Sequence, residues 1–181
     1  MYRTNKGDKL KSLLETPANL FTTDDMSVLW GIKNKNTLWK TVSRYIKRGL
    51  LYRVHKGLYA KKPLDKIDPY ELGCALMGPY SYISLETVLV KEGVIFQDIP
   101  KITLIGQKTK EYSIANFHFT CKQMKPDRLL DRTGIHDFPT YAIATPERAA
   151  ADKEYYSSCY YLDNPQVLDS DRFQELKEVL S

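Results

Sequence analysis

Asn34-Lys35-Asn36-Thr37-Leu38-Trp39-Lys40-Thr41-Val42-Ser43-Arg44-Tyr45-Ile46-Lys47-Arg48-Gly49, followed by Leu50-Leu51-Tyr52-Arg53-Val54-His55-Lys56-Gly57-Leu58-Tyr59-Ala60, decides how the first part of this chain folds. Asn34 or Asn36 offers a side-chain oxygen suited to capping a helix start. Leu38, Trp39, Val42, Tyr45 and Ile46 recur at steps of three and four, which predicts the buried stripe of that helix. Lys40, Thr41, Arg44, Lys47 and Arg48 fall mostly on the other side, with Lys33, Lys35, Asn36 and Thr37 at the mouth. Gly49 closes the helix. Leu50 to Val54 is rich in strand formers, His55-Lys56-Gly57 reads as a tight turn, and Leu58-Tyr59-Ala60 returns.

Upstream, Leu10, Leu13 and Leu14 predict a helix over Asp8 to Glu15, ended by Pro17. Asn19-Leu20-Phe21 reads as a short extended piece. Thr22-Thr23-Asp24-Asp25 is a helix start signal, and Met26, Leu29 and Trp30 give the following helix its apolar stripe until Gly31. A short helix, a glycine-containing turn, a second helix with a basic outer face and a basic hairpin together predict a winged helix-turn-helix. In that reading Lys35, Asn36, Thr37, Lys40, Thr41 and Arg44 face a DNA groove. Lys and Arg can donate to guanine acceptors and Asn can pair with adenine. Lys33, Lys47, Arg53 and Lys56 contact the phosphate backbone. Trp39, Val42 and Ile46 are expected in the core. The alternative is a small three-helix packing module whose basic residues are only a solvated face.

Charge separates the chain in the same place. Residues 1–66 hold fifteen Lys or Arg against five Asp or Glu, a net +10. Residues 67–181 hold twelve against seventeen, a net −5. A polyanion-binding module joined to a second domain accounts for this split. Asp65 to Asp68, with Pro63 and Pro69 nearby, is the expected junction, giving domains over 1–66 and 67–181. With 43% hydrophobic residues in 181, the chain can bury a core and is not disordered as a whole. No apolar run is long enough for a membrane span, and Met1-Tyr2-Arg3-Thr4-Asn5-Lys6 is not an apolar leader. Cys74, Cys121 and Cys159 make neither a disulfide framework nor a zinc pattern, so the cytoplasm is the expected compartment.

The second part mixes helices and strands without regular βαβ alternation, so the expected class is α+β. Tyr70 to Leu76 predicts a short helix. Ser84 is placed to cap a helix carrying Leu85, Val88 and Leu89. Ile102–Ile105, Tyr112–Ile114, Phe117–Cys121 and Tyr141–Ala144 read as strands. Thr145-Pro146-Glu147 predicts a helix running to about Tyr160, and Phe173, Leu176 and Leu180 mark a last amphipathic helix.

Three blocks then carry a resemblance. Asn34 to Lys61, with Ile46-Lys47-Arg48-Gly49-Leu50-Leu51 and Gly57-Leu58-Tyr59-Ala60, resembles the winged helix that opens AbiEi-type antitoxins of type IV toxin–antitoxin systems. Gly78-Pro79-Tyr80-Ser81-Tyr82-Ile83-Ser84-Leu85-Glu86-Thr87 through Gly93 resembles the start of that family's second domain. Ala144-Thr145-Pro146-Glu147-Arg148-Ala149, with Asp152, resembles a later helix start. The blocks come in the family's order. The resemblance implies a bacterial autorepressor that binds double-stranded DNA upstream of its own gene. It also implies an antitoxin that neutralises a nucleotidyltransferase-type toxin, without need of direct contact. The acidic balance from Ile67 onward departs from the basic second domain of several members.

Signals for catalysis are weak. His118 and Cys121 are three apart, which on a strand puts them on opposite faces. His136-Asp137 falls in an expected loop with no nucleophile nearby in sequence, and no GxGxxG or GxxxxGK phosphate loop occurs. Neither an enzyme nor a cofactor is expected. Tyr155, Tyr156, Tyr160 and Tyr161 read either as core against the last helix or as a partner surface. Glu147, Arg148 and Asp152 read as a polar patch explained by capping and ion pairing. The second functional reading is a protein-interaction module, in which winged helix and acidic domain bind a protein instead of specific DNA.

Overall fold

Leu13, Phe21, Met26, Trp30, Leu38, Val42, Tyr45 and Leu51 lie on successive segments, and all are buried together in one cluster. They form the core of the first of two compact units, Met1–Asp68 and Pro69–Ser181. The structure, a computed structural model, describes residues 6–97, 99–157 and 159–180; the start read above for a leader therefore lies outside the described residues, except Lys6. Among them the chain is mixed α+β, with eight α-helices and two sheets.

In the first unit, α1 spans Lys6–Glu15, β1 Leu20–Thr22, α2 Thr23–Trp30 and α3 Lys35–Lys47, followed by β2 at Tyr52–His55 and β3 at Leu58–Ala60. A reciprocal capping box between Thr22 and Asp25 starts α2. Of the two candidate caps for α3, Asn34 acts: its Oδ1 accepts from the Thr37 amide at 3.1 Å. At the far end Gly49 takes φ 67°, its amide donates to the Ile46 carbonyl, and the Leu50 amide donates to the Tyr45 carbonyl. That paired closure needs a left-handed residue, which is why glycine stands there. The extended piece near Leu20 joins a three-stranded antiparallel sheet in the order β1-β3-β2. Trp30 and Tyr45 meet with ring centroids 5.0 Å apart, and the Trp30 indole N–H donates to the Lys9 carbonyl.

The second unit holds α4 (Pro69–Met77), β4 (Tyr82–Ile83), α5 (Glu86–Lys91), β5 (Ile102–Gly106), β6 (Lys110–Ile114) and β7 (Phe117–Gln123). It continues with α6 (Pro126–Leu130), β8 (Ile135–Asp137), β9 (Ala142–Ala144), α7 (Pro146–Tyr156) and α8 (Ser170–Leu180). Its sheet runs β6-β7-β5-β4-β9-β8. The β4–β9 and β5–β7 pairs are parallel and the others antiparallel.

Three expectations need correction here. Ser84 does not cap α5. Leu85 stands at the cap position with φ 57° and ψ −137°, and the Ser84 hydroxyl donates instead to Asp152 Oδ2 at 2.6 Å. His136 and Asp137 lie in strand β8, paired with β9, and not in a loop. Helix α7 stops at Tyr156, because the Ser157 backbone turns extended, so Tyr160 and Tyr161 lie beyond it. Of these tyrosines, Tyr156 turns to the sheet, donating to the Gln123 carbonyl, and Tyr161 is exposed.

Arg148 and Asp152 form the ion pair expected of them, and both are fully buried. Arg148 Nε donates to Asp152 Oδ1 at 2.9 Å, and its other nitrogens reach the Tyr82 hydroxyl and the Thr133 carbonyl. Tyr82 donates in turn to Asp152 Oδ1 at 3.2 Å. Burial pushes the Asp152 carboxyl up, and the guanidinium and its hydrogen-bond donors oppose that. Among the described residues no buried side-chain polar atom lacks a partner, so this ionic knot is fully satisfied. It ties α7 to β4 at the middle of the sheet.

Candidate nucleic-acid interface

Helix α3 turns Leu38, Thr41, Val42 and Tyr45 inward. That stripe, at steps of three, one and three, fixes everything else on the helix. Lys35, Asn36, Thr37, Lys40, Arg44 and Lys47 are exposed, as is Lys33 in the turn before the helix. The helix-forming run is thus rotated so that its cations stand in solvent on the side away from the core. Burial raises the Tyr45 hydroxyl's pKa, against the pull of Arg44 and Arg48, and keeps that inward ring neutral.

The hairpin supplies the second set. The register pairs Arg53 with Tyr59 and His55 with Leu58, with a shift between Arg53 and His55. Gly57 at the tip has φ 83°, and its carbonyl accepts from the Thr23 amide at 2.9 Å. The tip is therefore pinned to the start of α2. Arg53 and Lys56 are exposed on it. One open cleft of about 440 Å³ is lined by Lys35 and Trp39 of α3 together with Arg53, Lys56 and Tyr59 of the hairpin. Among the described residues, Lys33, Lys35, Lys40, Arg44, Lys47, Arg53 and Lys56 take part in no ion pair.

Two residues depart from the expected assignment. Thr41, expected at the groove, is only 3% exposed. Its hydroxyl donates to the Thr37 carbonyl at 2.8 Å, and Arg44 reaches it at 3.4 Å. A β-branched hydroxyl that back-bonds within its helix sits comfortably inside, so Thr41 packs and does not contact a groove. Trp39, expected in the core, is 57% exposed. The inward stripe is already complete without it, and position 39 is rotated by about 100° from Leu38. The same wheel also exposes Ser43, which composition gave no reason to single out. Val42 is buried as expected and Ile46 is half-buried.

No comparable cluster stands elsewhere in the sites weighed from sequence. His118 is exposed with Nδ1 at 2.9 Å from the Ser113 hydroxyl oxygen, while Cys121 is buried on the other face of β7. Among the described residues no group of three or more His, Cys, Asp or Glu is gathered to hold a metal ion. No helix among them is long and apolar enough to cross a membrane.

What fold and surface together define is a two-unit α+β protein with an unpaired cationic helix-and-hairpin face on its first unit. No family model matches the chain, and no curated protein matches it. Among solved structures it is similar to the RV2827C protein from Mycobacterium tuberculosis, with a TM-score of 0.59 and 12% identity over 95% of this chain and 70% of that one. At that identity the likeness is one of fold alone.

Proposed function

We propose that the first unit is a winged helix-turn-helix that binds double-stranded DNA and that the protein represses its own operon. The observation that carries this is the unpaired charge: seven exposed cations on α3, the turn before it and the hairpin, none held by a carboxylate. Leaving that much like charge unpaired costs self-repulsion, and a phosphate backbone relieves it while releasing counterions. Asn36, Thr37 and Lys40 then occupy the first half of the helix, where side chains reach base edges, and Arg44 follows in its last turn. Lys33, Lys47, Arg53 and Lys56 neutralise phosphates, and Lys35, expected at the groove, joins them because it lines the cleft with Arg53 and Lys56.

The wider reading is an antitoxin of a bacterial type IV toxin–antitoxin system, acting in the cytoplasm on a nucleotidyltransferase-type toxin. It rests on the sequence resemblance of the three blocks described above. A second reading, a protein-binding module, draws on exposed apolar side chains of the acidic unit, Phe96 at 72% and Tyr161 at 78%.

Fluorescence anisotropy separates the two. The labelled probes are a duplex from directly upstream of the gene and a scrambled duplex of equal length, each titrated at several salt concentrations. A repressor prefers the upstream fragment by about a thousandfold or more and loses affinity steeply with salt. Equal, weak binding to both fragments would end the autorepressor reading. Salt-insensitive capture of a protein, without DNA affinity, would favour the module.

A further inference from the structure

The cleft between α3 and the hairpin has a composition that the groove-facing residues do not explain. Its walls carry three cations, Lys35, Arg53 and Lys56, and its lining includes two aromatic rings, Trp39 and Tyr59. One carboxylate, Asp24, is also in the lining. A large indole left 57% exposed in the free protein costs apolar hydration, and the core stripe of α3 does not need it. An aromatic surface bracketed by cations matches a ligand that alternates apolar and anionic groups along its length. A phosphodiester backbone does so: each deoxyribose presents an apolar face and each linkage a negative charge. A base edge presents no charge, and an acidic peptide presents no regular rigid apolar ring.

Resting on the DNA-binding reading, we propose that this cleft seats the sugar–phosphate backbone of one DNA strand. The Trp39 indole packs on a deoxyribose while Lys35, Arg53 and Lys56 hold the neighbouring phosphates. Trp39 is then a sequence-independent anchor that sets the depth to which α3 enters the groove. Asp24 keeps the phosphates toward the opposite wall.

The chain has two tryptophans, and Trp30 is buried at 2% exposure, so quenching by neutral acrylamide reports mainly on Trp39. Saturating either the upstream or the scrambled duplex is expected to protect that emission. Trp39→Ala should weaken both duplexes by the same factor, about tenfold, the worth of one well-packed aromatic contact. The salt slope should stay unchanged, because no charge is lost. Trp39→Phe should restore most of the affinity, and circular dichroism checks that both variants fold. A loss confined to the upstream fragment would reassign Trp39 to base reading and overturn the proposal. So would unprotected emission in the bound state. If wild-type protein binds neither duplex, the DNA reading itself fails, a result distinct from either of those.

Discussion

Cys121 lies buried on β7, and burial pushes its thiol up to about 12. Cys74 is also buried, whereas Cys159 is exposed beyond the end of α7. Reactivity follows the thiolate and its access. Iodoacetamide at mildly alkaline pH should therefore alkylate one cysteine quickly in the native protein. Peptide mass spectrometry should place the label on Cys159, and Cys159→Ser should abolish the fast phase. Fast labelling of Cys121 would mean that β7 opens readily. Trp39 and Thr41 show the limit of residue-level reading from sequence. Chemistry favours tryptophan inside and threonine outside, and hydropathy ranks them so. The wheel of α3 reverses both, because Leu38, Val42 and Tyr45 set the rotation, and Thr41 then lies about 40° beyond Tyr45 while Trp39 lies about 60° beyond Val42 on the other side. Counting the stripe at strict helical steps, instead of admitting every apolar neighbour, locates both residues. For Arg148 and Asp152 no such signal exists. Their partners Tyr82 and Ser84 come from another segment, so burial there is a tertiary fact.

At the scale of elements, helix and hairpin should fail differently when their cations are removed. Arg44 stands on the outer face of α3, and its assigned task is to read bases. Arg44→Ala is expected to weaken the upstream duplex more than the scrambled one, by about 1–3 kcal/mol of lost discrimination. Lys56 stands at the hairpin tip, and its proposed task is to meet phosphate. Lys56→Ala should weaken both duplexes about equally and flatten the salt slope by about one unit. Equal loss on both duplexes for Arg44→Ala would remove its role as a reader. Elements with several turns or an explicit cap were legible: α2, α3 and α8 begin and end near the positions their caps and stripes mark, and α7 begins at its Thr145 cap. Strands β5, β6 and β7 were legible from alternation and apolar content. Strands β4 and β8, of two and three residues, are too short to show a period. The start of α5 is not legible because Ser84 precedes an apolar stripe, as a cap does, while its hydroxyl goes to Asp152.

At the scale of the molecule, each unit carries its own kind of glue. The first is held by an apolar cluster drawn from its own helices and strands. The second adds the buried Arg148–Asp152 pair to its apolar core. Removing one partner of a buried pair strands the other charge, at a cost of about 3–5 kcal/mol. Arg148→Ala should lower the urea stability of the second unit by that amount. Below that unit's transition it should leave the affinity and salt slope for DNA unchanged, because no cation of the candidate interface takes part in the pair. A parallel loss of DNA affinity in the folded variant would show that the second unit helps to hold the interface. The division of charge, +10 over residues 1–66 against −5 over the rest, was legible from sequence because it needs only counting. The order of the six-stranded sheet was not, since two-residue β4 holds its centre.

That central strand has a consequence for biosynthesis. Ile83 pairs in parallel with Ile143, and Tyr82 and Ser84 wait for Asp152, which follows them by 70 and 68 residues. The first unit, by contrast, has its last strand in place at Ala60. On the ribosome the cationic unit can close while the acidic segment still lacks the strand and helix that complete its sheet. Translation order thus becomes folding order. A nascent chain released before Ala142 would carry a finished cationic unit followed by an open sheet, exposed to chaperones and proteases.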